Sequence, residues 1–210
     1  MTDLFPLGFS LGRRAEGDLV RLGDDLHVLP AALPAPLDEA LPPHLIGTVW
    51  ATLGGGPEAL GDQAWDRTAV RNLLDPVPAA VVDSLVEVLI SQGLAAEFTP
   101  TSPTAIDRAH RWTLQPLLTG HGNTREDPHH YAIGTPHRVR AQLTPRAYDC
   151  WEMADAHGSV WELCQTLAAN PYYAELTDSP LSTPEGQVPL VWEDIRALLV
   201  VGAAHLDLVS

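Results

Sequence analysis

The sequence predicts an α+β protein built from two tandem units, each a β-hairpin followed by a winged-helix arrangement. Three observations lead to this fold class: the chain opens with an alternating, strand-like pattern, three helix-periodic segments follow, and the same order returns in the second half. A length of 210 residues allows one large domain or two small ones. We expect the units to cover residues 1–118 and a shorter 128–210, joined by a linker over 119–127.

The first hairpin is predicted from period-two alternation. Apolar and polar residues alternate over 17–22 and again over 26–29, on either side of Gly23-Asp24-Asp25. Such a Gly/Asp turn between two alternating runs is typical of a hairpin. A proline-rich stretch over 30–43 follows and predicts an extended connector, because proline fixes φ and has no backbone N–H.

Three helices are expected next, over 45–53, 66–74 and 78–92. Each segment carries apolar residues at helical spacing. Asp66 is placed to cap the second helix, while the third begins on a proline and is followed by Gly93, which marks both of its ends.

A wing is predicted after the third helix. Residues 94–99 and 110–114 both have the pattern of short strands, and residues 101–104 have the composition of a loop. Three helices followed by a two-stranded hairpin are typical of a winged helix.

The second half repeats this plan. A hairpin is expected over 131–143, then a helix opened by Thr144-Pro145, then a short helix opened by a Ser159/Glu162 capping box, and finally a long helix over 191–202 that leads through glycine into a strand. Trp151 falls where Trp50 falls in the first unit. The coincidence of order predicts two related units.

Composition disfavours several classes of function. All twelve cationic residues are Arg and oppose 27 Asp and Glu, which gives a formal net charge of −15. This charge repels nucleic-acid phosphates and anionic lipids. No apolar run approaches the roughly 20 residues of a membrane span, so we expect no membrane association and a cytoplasmic protein. Cys150 and Cys164 are expected to be buried structural thiols.

No catalytic motif stands out. The chain has no phosphate-binding loop, no nucleophile elbow and no zinc-protease motif. The acidic residues are expected to be solvated helix faces. We therefore expect a non-enzymatic protein without a cofactor.

Metal binding by a histidine-rich segment is one alternative. Four histidines lie in one polar, Gly/Pro-marked stretch, and neutral imidazole is a good zinc ligand. They are His121, His129, His130 and His137. No two of them have the i, i+4 spacing of a helical site, so a solvated loop is the expected structure.

DNA binding by a winged-helix regulator is the other alternative. The third helix of the first unit, which would enter the major groove, carries no basic residue. Residues 1–118 hold seven Arg and fifteen acidic residues, and 119–210 hold five and twelve. Local basic patches could form from Arg67, Arg71, Arg108 and Arg111, and from Arg125, Arg138, Arg140 and Arg146. Both halves are acidic overall, so DNA is not the expected partner.

Protein or peptide binding is the leading hypothesis. Exposed hairpins offer strand edges that an extended peptide can join. We expect the contacts on the first hairpin and on the outer face of the helix over 78–92, and a homodimer is compatible with the sequence. The predicted contact residues are Val20, Leu22, Leu26 and Val28 on the hairpin and Ser84, Glu87 and Ser91 on the helix.

A resemblance supports this hypothesis. The order of the segments 19–22, 26–29, 48–53, 68–70 and 85–98 is similar to the peptide-recognition elements of ribosomal peptide maturation, whose best-known member is the peptide chaperone of pyrroloquinoline quinone biosynthesis. The resemblance covers about residues 15–98 and, more loosely, 130–208. It implies a small sheet joined to three helices, with a leader peptide bound between the sheet edge and the last helix. The tandem acidic arrangement is also similar in outline to the condensin-associated segregation adaptors.

Overall fold

A computed structural model describes residues 2–31, 41–53, 65–171 and 180–209 of the protein. The chain divides into two compact units, Met1–Glu97 and Phe98–Ser210. Both helices and strands are present, as the α+β prediction requires. Most of the proline-rich stretch predicted as a connector, residues 32–40, lies outside the described residues.

The described residues of unit 1 form two small sheets. Strand β1 (Asp3–Pro6) pairs with β5 (Ala95–Phe98), and β2 (Phe9–Arg13), β3 (Gly17–Leu22) and β4 (Asp25–Pro30) form an antiparallel sheet in the order β2-β3-β4. The predicted hairpin is β3–β4, and it closes where Leu22 pairs with Asp25.

Three helices occur among the described residues between β4 and β5. They are α1 (Leu45–Leu53), α2 (Arg67–Leu73) and α3 (Ala79–Ser91). Asp66 caps α2 as predicted, because its carboxylate accepts hydrogen bonds from the backbone N–H groups of Thr68 and Ala69. Gly93, which follows α3, has a φ of 73°, a left-handed conformation that glycine adopts without a Cβ penalty.

Unit 2 follows the same succession after one additional helix, α4 (Pro103–Arg111). Its strands are β6 (Trp112–Pro116), β7 (Thr119–Gly122), β8 (Tyr131–Thr135), β9 (Arg138–Leu143) and β10 (Ala204–Leu208). Its helices α5 (Pro145–Ala154), α6 (Val160–Ala169) and α7 (Pro184–Val200) stand between β9 and β10, with a 3₁₀ turn over Pro180–Ser182. Sheet pairing also repeats, since β6 pairs with β10 and the other sheet has the order β7-β8-β9.

A tryptophan holds the same junction in both units. The indole Nε1–H of Trp50 donates to the carbonyls of Leu7 and Leu94 at 3.2 and 3.1 Å, and that of Trp151 donates to the carbonyl of Ala203 at 3.2 Å. The Leu94 and Ala203 carbonyls also accept the backbone N–H groups of Leu7 and Leu117, respectively. Each tryptophan therefore joins the first helix of its unit to the strand that follows the third helix of that unit.

The wing prediction is wrong. Residues 103–111 form α4 and not a loop and a returning strand, and β5 pairs with β1 instead of with residues 110–114. The buried side of α4 consists of Ala105 and Ala109, which are four residues apart. Because alanine side chains are small, they do not form the strong apolar stripe from which a helix is predicted. In each unit the last strand returns to the strand that precedes the three-stranded sheet.

The second unit also differs from its predicted extent. The division of the chain falls after Glu97, and residues 119–122, predicted as linker, form β7 and pair with β8. The long helix begins at Pro184, seven residues before the predicted start, because Thr183 caps it by accepting the N–H of Gly186. The second unit is thus the longer one.

An aromatic cluster forms the core of unit 2. Trp112 and Trp192 are 1% and 0% exposed, and their rings meet edge to face at 5.7 Å. Phe98 contacts both rings, at 5.9 and 5.1 Å between ring centroids. Large edge-to-face aromatic contacts of this kind contribute strongly to the stability of a core.

Candidate functional site

The solvent-facing side of the β2-β3-β4 sheet carries apolar side chains. Residues that lie opposite each other on neighbouring strands point to the same face. Phe9, Arg21 and Leu26 form one such row, and Leu19 and Val28 form another. Leu26 is 64% exposed and Val28 is 53% exposed. We call these five residues the outer face of the sheet.

Strand β4 is the edge of this sheet. It pairs only with β3 among the described strands. Edge strands in soluble proteins are commonly protected by Lys, proline or a bulge. The centre of β4 instead presents Leu26 and Val28 around half-buried His27 and continues without an irregularity along β3.

The middle of the opposite face of the same strands is buried. Val20 and Leu22 are 0% and 6% exposed, and Leu29 is fully buried. Val20 and Leu22 lie on the central strand β3 and belong to the core of unit 1, so they are not available as the contact residues that the sequence predicted. Leu26 and Val28 are the accessible members of that set.

The predicted residues of α3 all lie on its exposed side. Ser84 and Ser91 donate their hydroxyl hydrogens to the helix carbonyls of Ala80 and Val88, both at 2.8 Å. Glu87 forms an ion pair with Arg67 at 2.7 Å. Helix α1 packs against both β4 and α3, so the two predicted contact elements share one neighbour.

Two of the predicted DNA-contacting arginines are held by carboxylates. Arg67 lies between Glu87 and Glu97 and makes a bidentate contact to Glu97, which raises the pKa of its guanidinium further above its usual range. Arg71 makes a bidentate contact with Asp83. In each case a phosphate would have to compete with a carboxylate for the same donors.

The other two arginines belong to unit 2. Arg108 and Arg111 lie in the last turn of α4, and the Arg108 guanidinium lies 5.1 Å from the centre of the Trp112 ring, a cation–π distance. The structure therefore places the four arginines as two pairs, one in each unit.

The four candidate metal-ligating histidines have separate environments. The ring of His121, on β7, contacts the carbonyl of Thr135 at 3.0 Å, and Nδ1 of His130 contacts Asp127 at 2.9 Å. His129 and His137 are exposed. Within the described part of the chain, no group of three or more His, Cys, Asp or Glu residues is arranged to hold a metal ion.

Sequence reasoning did not place Phe9 on the same face as the hairpin residues. The signal was present, since Phe9 and Leu11 alternate with polar or small residues on the strand before the predicted hairpin. Without a known third strand, this alternation could not be attached to the hairpin.

Comparison of the chain with protein-family models, with curated proteins and with solved structures gave no match in any of the three. Among the described residues, no helix combines the length and the apolar character that crossing a membrane requires.

Proposed function

We propose that this protein is a non-enzymatic adaptor that binds an extended, apolar segment of a protein or peptide partner along strand β4. The observation that carries the proposal is the pair of exposed apolar side chains, Leu26 and Val28, on an edge strand. An added strand would take its main-chain hydrogen bonds from the free edge of β4 and its side-chain contacts from the outer face.

The surroundings of β4 support an apolar partner strand. Leu19 and Val28 are directly opposite each other, and Phe9 and Leu26 flank Arg21, so the apolar surface continues from β4 across the sheet. A contiguous apolar surface on a soluble protein commonly marks an interaction site. Arg21 gives the same face one cation, which suits a partner segment that carries an acidic residue among its apolar ones.

The order of elements in unit 1 also supports peptide binding. A small sheet joined to three helices is the arrangement that the resemblance to peptide-recognition elements implies, and unit 1 has a three-stranded sheet followed by three described helices. Unit 2 has the same order, but its equivalent edge strand, β9, exposes Arg138 and Arg140 around Val139. The two edges therefore suit partner segments of different charge.

The proposal is tested by selecting binders from a displayed library of random peptides on the immobilised protein. A selected peptide is then measured by fluorescence anisotropy against the wild-type protein, against Leu26→Glu/Val28→Glu, and against Leu117→Glu/Val139→Glu. The last variant is a matched control, because Leu117 and Val139 are 42% and 51% exposed but belong to unit 2. We expect the β4 variant to weaken binding by at least about tenfold, and the control to bind as the wild type does.

A second probe separates strand addition from simple hydrophobic contact. N-methylation of alternate amides of the selected peptide removes the main-chain donors that an added strand needs but keeps its side chains. Methylation on the paired side is expected to abolish binding, and methylation on the opposite side to leave it intact. Equal binding of both methylated peptides, or no effect of Leu26→Glu/Val28→Glu, would refute the proposal.

A further inference from the structure

A concave surface of unit 1 lies on the inner side of the sheet, away from the outer face. It is a cleft of about 570 Å³ between β2, β3 and α1, and one residue of α2 closes one side of it. Its volume is within the range of small-molecule binding sites. The lining residues are Ser10, Arg13, Asp18, Val20, Gly47, Thr48, Trp50, Ala51, Thr52 and Leu73.

The wall of this cleft depends on a close contact between Asp18 and Gly47. A Cβ atom on Gly47 would overlap Oδ2 of Asp18, so only glycine allows the carboxylate to rest against α1. Glycine inside a helix weakens the helix, so its presence here has a local reason. That reason is the position of the Asp18 carboxylate, which is only 14% exposed.

Asp18 is in turn held from two sides. The Nε–H of Arg13 donates to Oδ1 at 3.1 Å, and Nδ1 of His44 lies 3.4 Å from Oδ2. His44 has a φ of 60°, an uncommon left-handed backbone conformation for a residue other than glycine. Backbone outliers of this kind concentrate at binding sites, where the surrounding structure maintains them.

This arrangement holds the guanidinium of Arg13 in a fixed position at the cleft. The contact with Asp18 uses only Nε of Arg13, and no other partner of this guanidinium occurs among the residues that the structure describes. Its two terminal NH₂ groups are free to donate in parallel to a carboxylate, which is the geometry that arginine recognises best. The side chain is 61% exposed, so a ligand can reach it.

The two threonine hydroxyls of the cleft are acceptors. The hydroxyls of Thr48 and Thr52 donate their hydrogens to the carbonyls of His44 and Thr48, at 3.1 and 2.8 Å, which leaves their oxygens to accept. Trp50 directs its Nε1–H to backbone carbonyls, so its ring contributes apolar surface to the cleft, as Leu73 does. The cleft thus offers one anion site, acceptors for an N–H, and an apolar wall.

We propose that this cleft binds the carboxylate of an acylated α-amino acid, either as a free small molecule or as the C-terminus of a peptide. The carboxylate would pair with the terminal NH₂ groups of Arg13, the amide N–H would donate to a threonine hydroxyl, and an apolar side chain would contact Trp50 and Leu73. A cationic ligand fits less well, because Arg13 binds one oxygen of Asp18 and the other is shielded from solvent. This site is separate from the edge proposed for the adaptor function.

The proposal is tested by titrating N-acetyl-leucine into the ¹⁵N-labelled protein, with N-acetyl-leucinamide as the probe that lacks the carboxylate. The indole N–H resonance of Trp50, assigned with Trp50→Phe, reports on the cleft. We expect saturable shifts of this resonance and of the backbone amides of Thr48 and Thr52 with the acid, and none with the amide. A peptide ending in the same residue, acetyl-Ala-Ala-Leu, distinguishes the two sources: tighter binding assigns the site to a peptide C-terminus, and equal binding assigns it to a small molecule.

Two arginine variants provide the matched comparison. Arg13→Gln is expected to abolish the response to N-acetyl-leucine, whereas Arg14→Gln, which removes the same charge from the neighbouring exposed position outside the cleft, is expected to preserve it. Gly47→Ala should also weaken binding, because the new methyl group displaces Asp18 and with it Arg13. Equal responses to acid and amide, retention of binding in Arg13→Gln, or the absence of a saturable shift at millimolar probe would overturn the proposal.

Discussion

Arg146 on α5 and Asp194 on α7 form a buried ion pair in unit 2, with Nε of the arginine 2.8 Å from Oδ2 of the aspartate. The side chains are 19% and 13% exposed. Arg146 also donates through Nη1 to Oε1 of Gln187, and the Gln187 side-chain amide donates to the carbonyl of Leu181 in the 3₁₀ turn. One arginine thereby connects two helices and the turn that precedes the second.

Unit 1 has leucines where unit 2 has this ion pair. Arg146 stands five residues before Trp151, as Leu45 stands before Trp50, and Asp194 stands eight residues before Gly202, as Leu85 stands before Gly93. Leu45 and Leu85 are each 3% exposed. Helix α1 packs on α3 as α5 packs on α7, and equivalent positions on these helices hold buried leucines in unit 1 and an ion pair in unit 2. A buried pair of this kind is poor evidence for added stability, because desolvation offsets the attraction.

The first prediction concerns this pair. Arg146→Leu leaves the Asp194 carboxylate buried without its cation and is expected to lower the free energy of unfolding by about 3–5 kcal/mol. Arg146→Leu/Asp194→Leu, which reproduces the residues of unit 1, should regain most of that loss. Urea unfolding measures both variants. Arg71→Leu, which breaks a pair that is about one-third exposed, is the control and should cost less than about 1 kcal/mol. A double variant as unstable as Arg146→Leu would contradict the equivalence of the two helix contacts.

The second prediction concerns pH. Burial raises the pKa of Asp194 from its ordinary 3.8 to about 6, although Arg146 acts to lower it and Glu193 and Asp149 act to raise it further. Between these values the folded protein retains a proton that the unfolded chain releases, so the free energy of unfolding decreases as the pH rises through this window. The contribution of Asp194 to this decrease should be about 3 kcal/mol and should be complete above about pH 6.

Unfolding of the wild type and of Asp194→Asn, compared from about pH 4 to pH 7, isolates this contribution. The wild type should lose stability with rising pH relative to Asp194→Asn, because the amide cannot ionise. Parallel curves for the two proteins would show that Asp194 has an ordinary pKa in the folded state.

The third prediction concerns the two tryptophans that join the first helix to the last strand of each unit. Trp50→Ala and Trp151→Ala should each lower the free energy of unfolding by roughly 3–5 kcal/mol, since a large packed side chain is lost. Trp50→Phe keeps an aromatic ring but leaves the carbonyls of Leu7 and Leu94 without the indole N–H donor. We therefore expect it to lower the free energy of unfolding by a smaller amount, about 1–3 kcal/mol. Urea unfolding distinguishes these values. A Trp50→Phe variant as unstable as Trp50→Ala would show that the hydrogen bonds outweigh the packing.

Apart from α4, the described helices were predictable in this protein because their signals are local. Asp66, Thr144 and Ser159 each cap a helix at the predicted position, since a cap and an apolar stripe depend on residues a few positions apart. Strand partners were not predictable from alternation. β5 has a local strand signal, but its partner β1 is about 90 residues earlier in the chain. Alternation alone favours the nearer strand-like segment after residue 110 as the partner, and that prediction is wrong.

The candidate site was predictable only in part, for a related reason. The hairpin has two apolar faces, because adjacent apolar residues on each strand, Leu19-Val20 and Val28-Leu29, point to opposite sides. The sequence alone does not say which of these faces is turned to the core. The structure resolves this by burying Val20 and Leu29 and exposing Val28. The cleft was invisible in the sequence, because it depends on a contact between Asp18 on a strand and Gly47 on a helix.

The fourth prediction is that the chain does not bind duplex DNA, even at low salt. The Arg67 guanidinium already has Glu87 and Glu97 as partners, and Arg71 has Asp83. If a phosphate displaced these carboxylates, their negative charges would lie beside the phosphate backbone and repel it. This repulsion would add to that of the overall charge of −15. Fluorescence anisotropy of a labelled mixed-sequence duplex across a salt series measures this directly. A steeply salt-dependent signal that Arg67→Gln/Arg71→Gln removes would instead favour the regulator hypothesis.

The fifth prediction concerns the two free thiols, Cys150 and Cys164, which are both buried on consecutive helices of unit 2. Burial raises the pKa of Cys164 to about 12 and that of Cys150 well above its usual range, in the latter case assisted by the negative charge of Asp194. Because the thiolate is the reactive form, neither thiol should react with a disulfide reagent such as dithiobis(nitrobenzoate) at about pH 8 while the protein is folded, and both should react in denaturant. Arg146→Leu, which disrupts the ion pair beside them, should speed labelling by increasing local opening. Rapid labelling of the folded wild-type protein would mean that one of these thiols is accessible and therefore suited to a redox or metal-binding role.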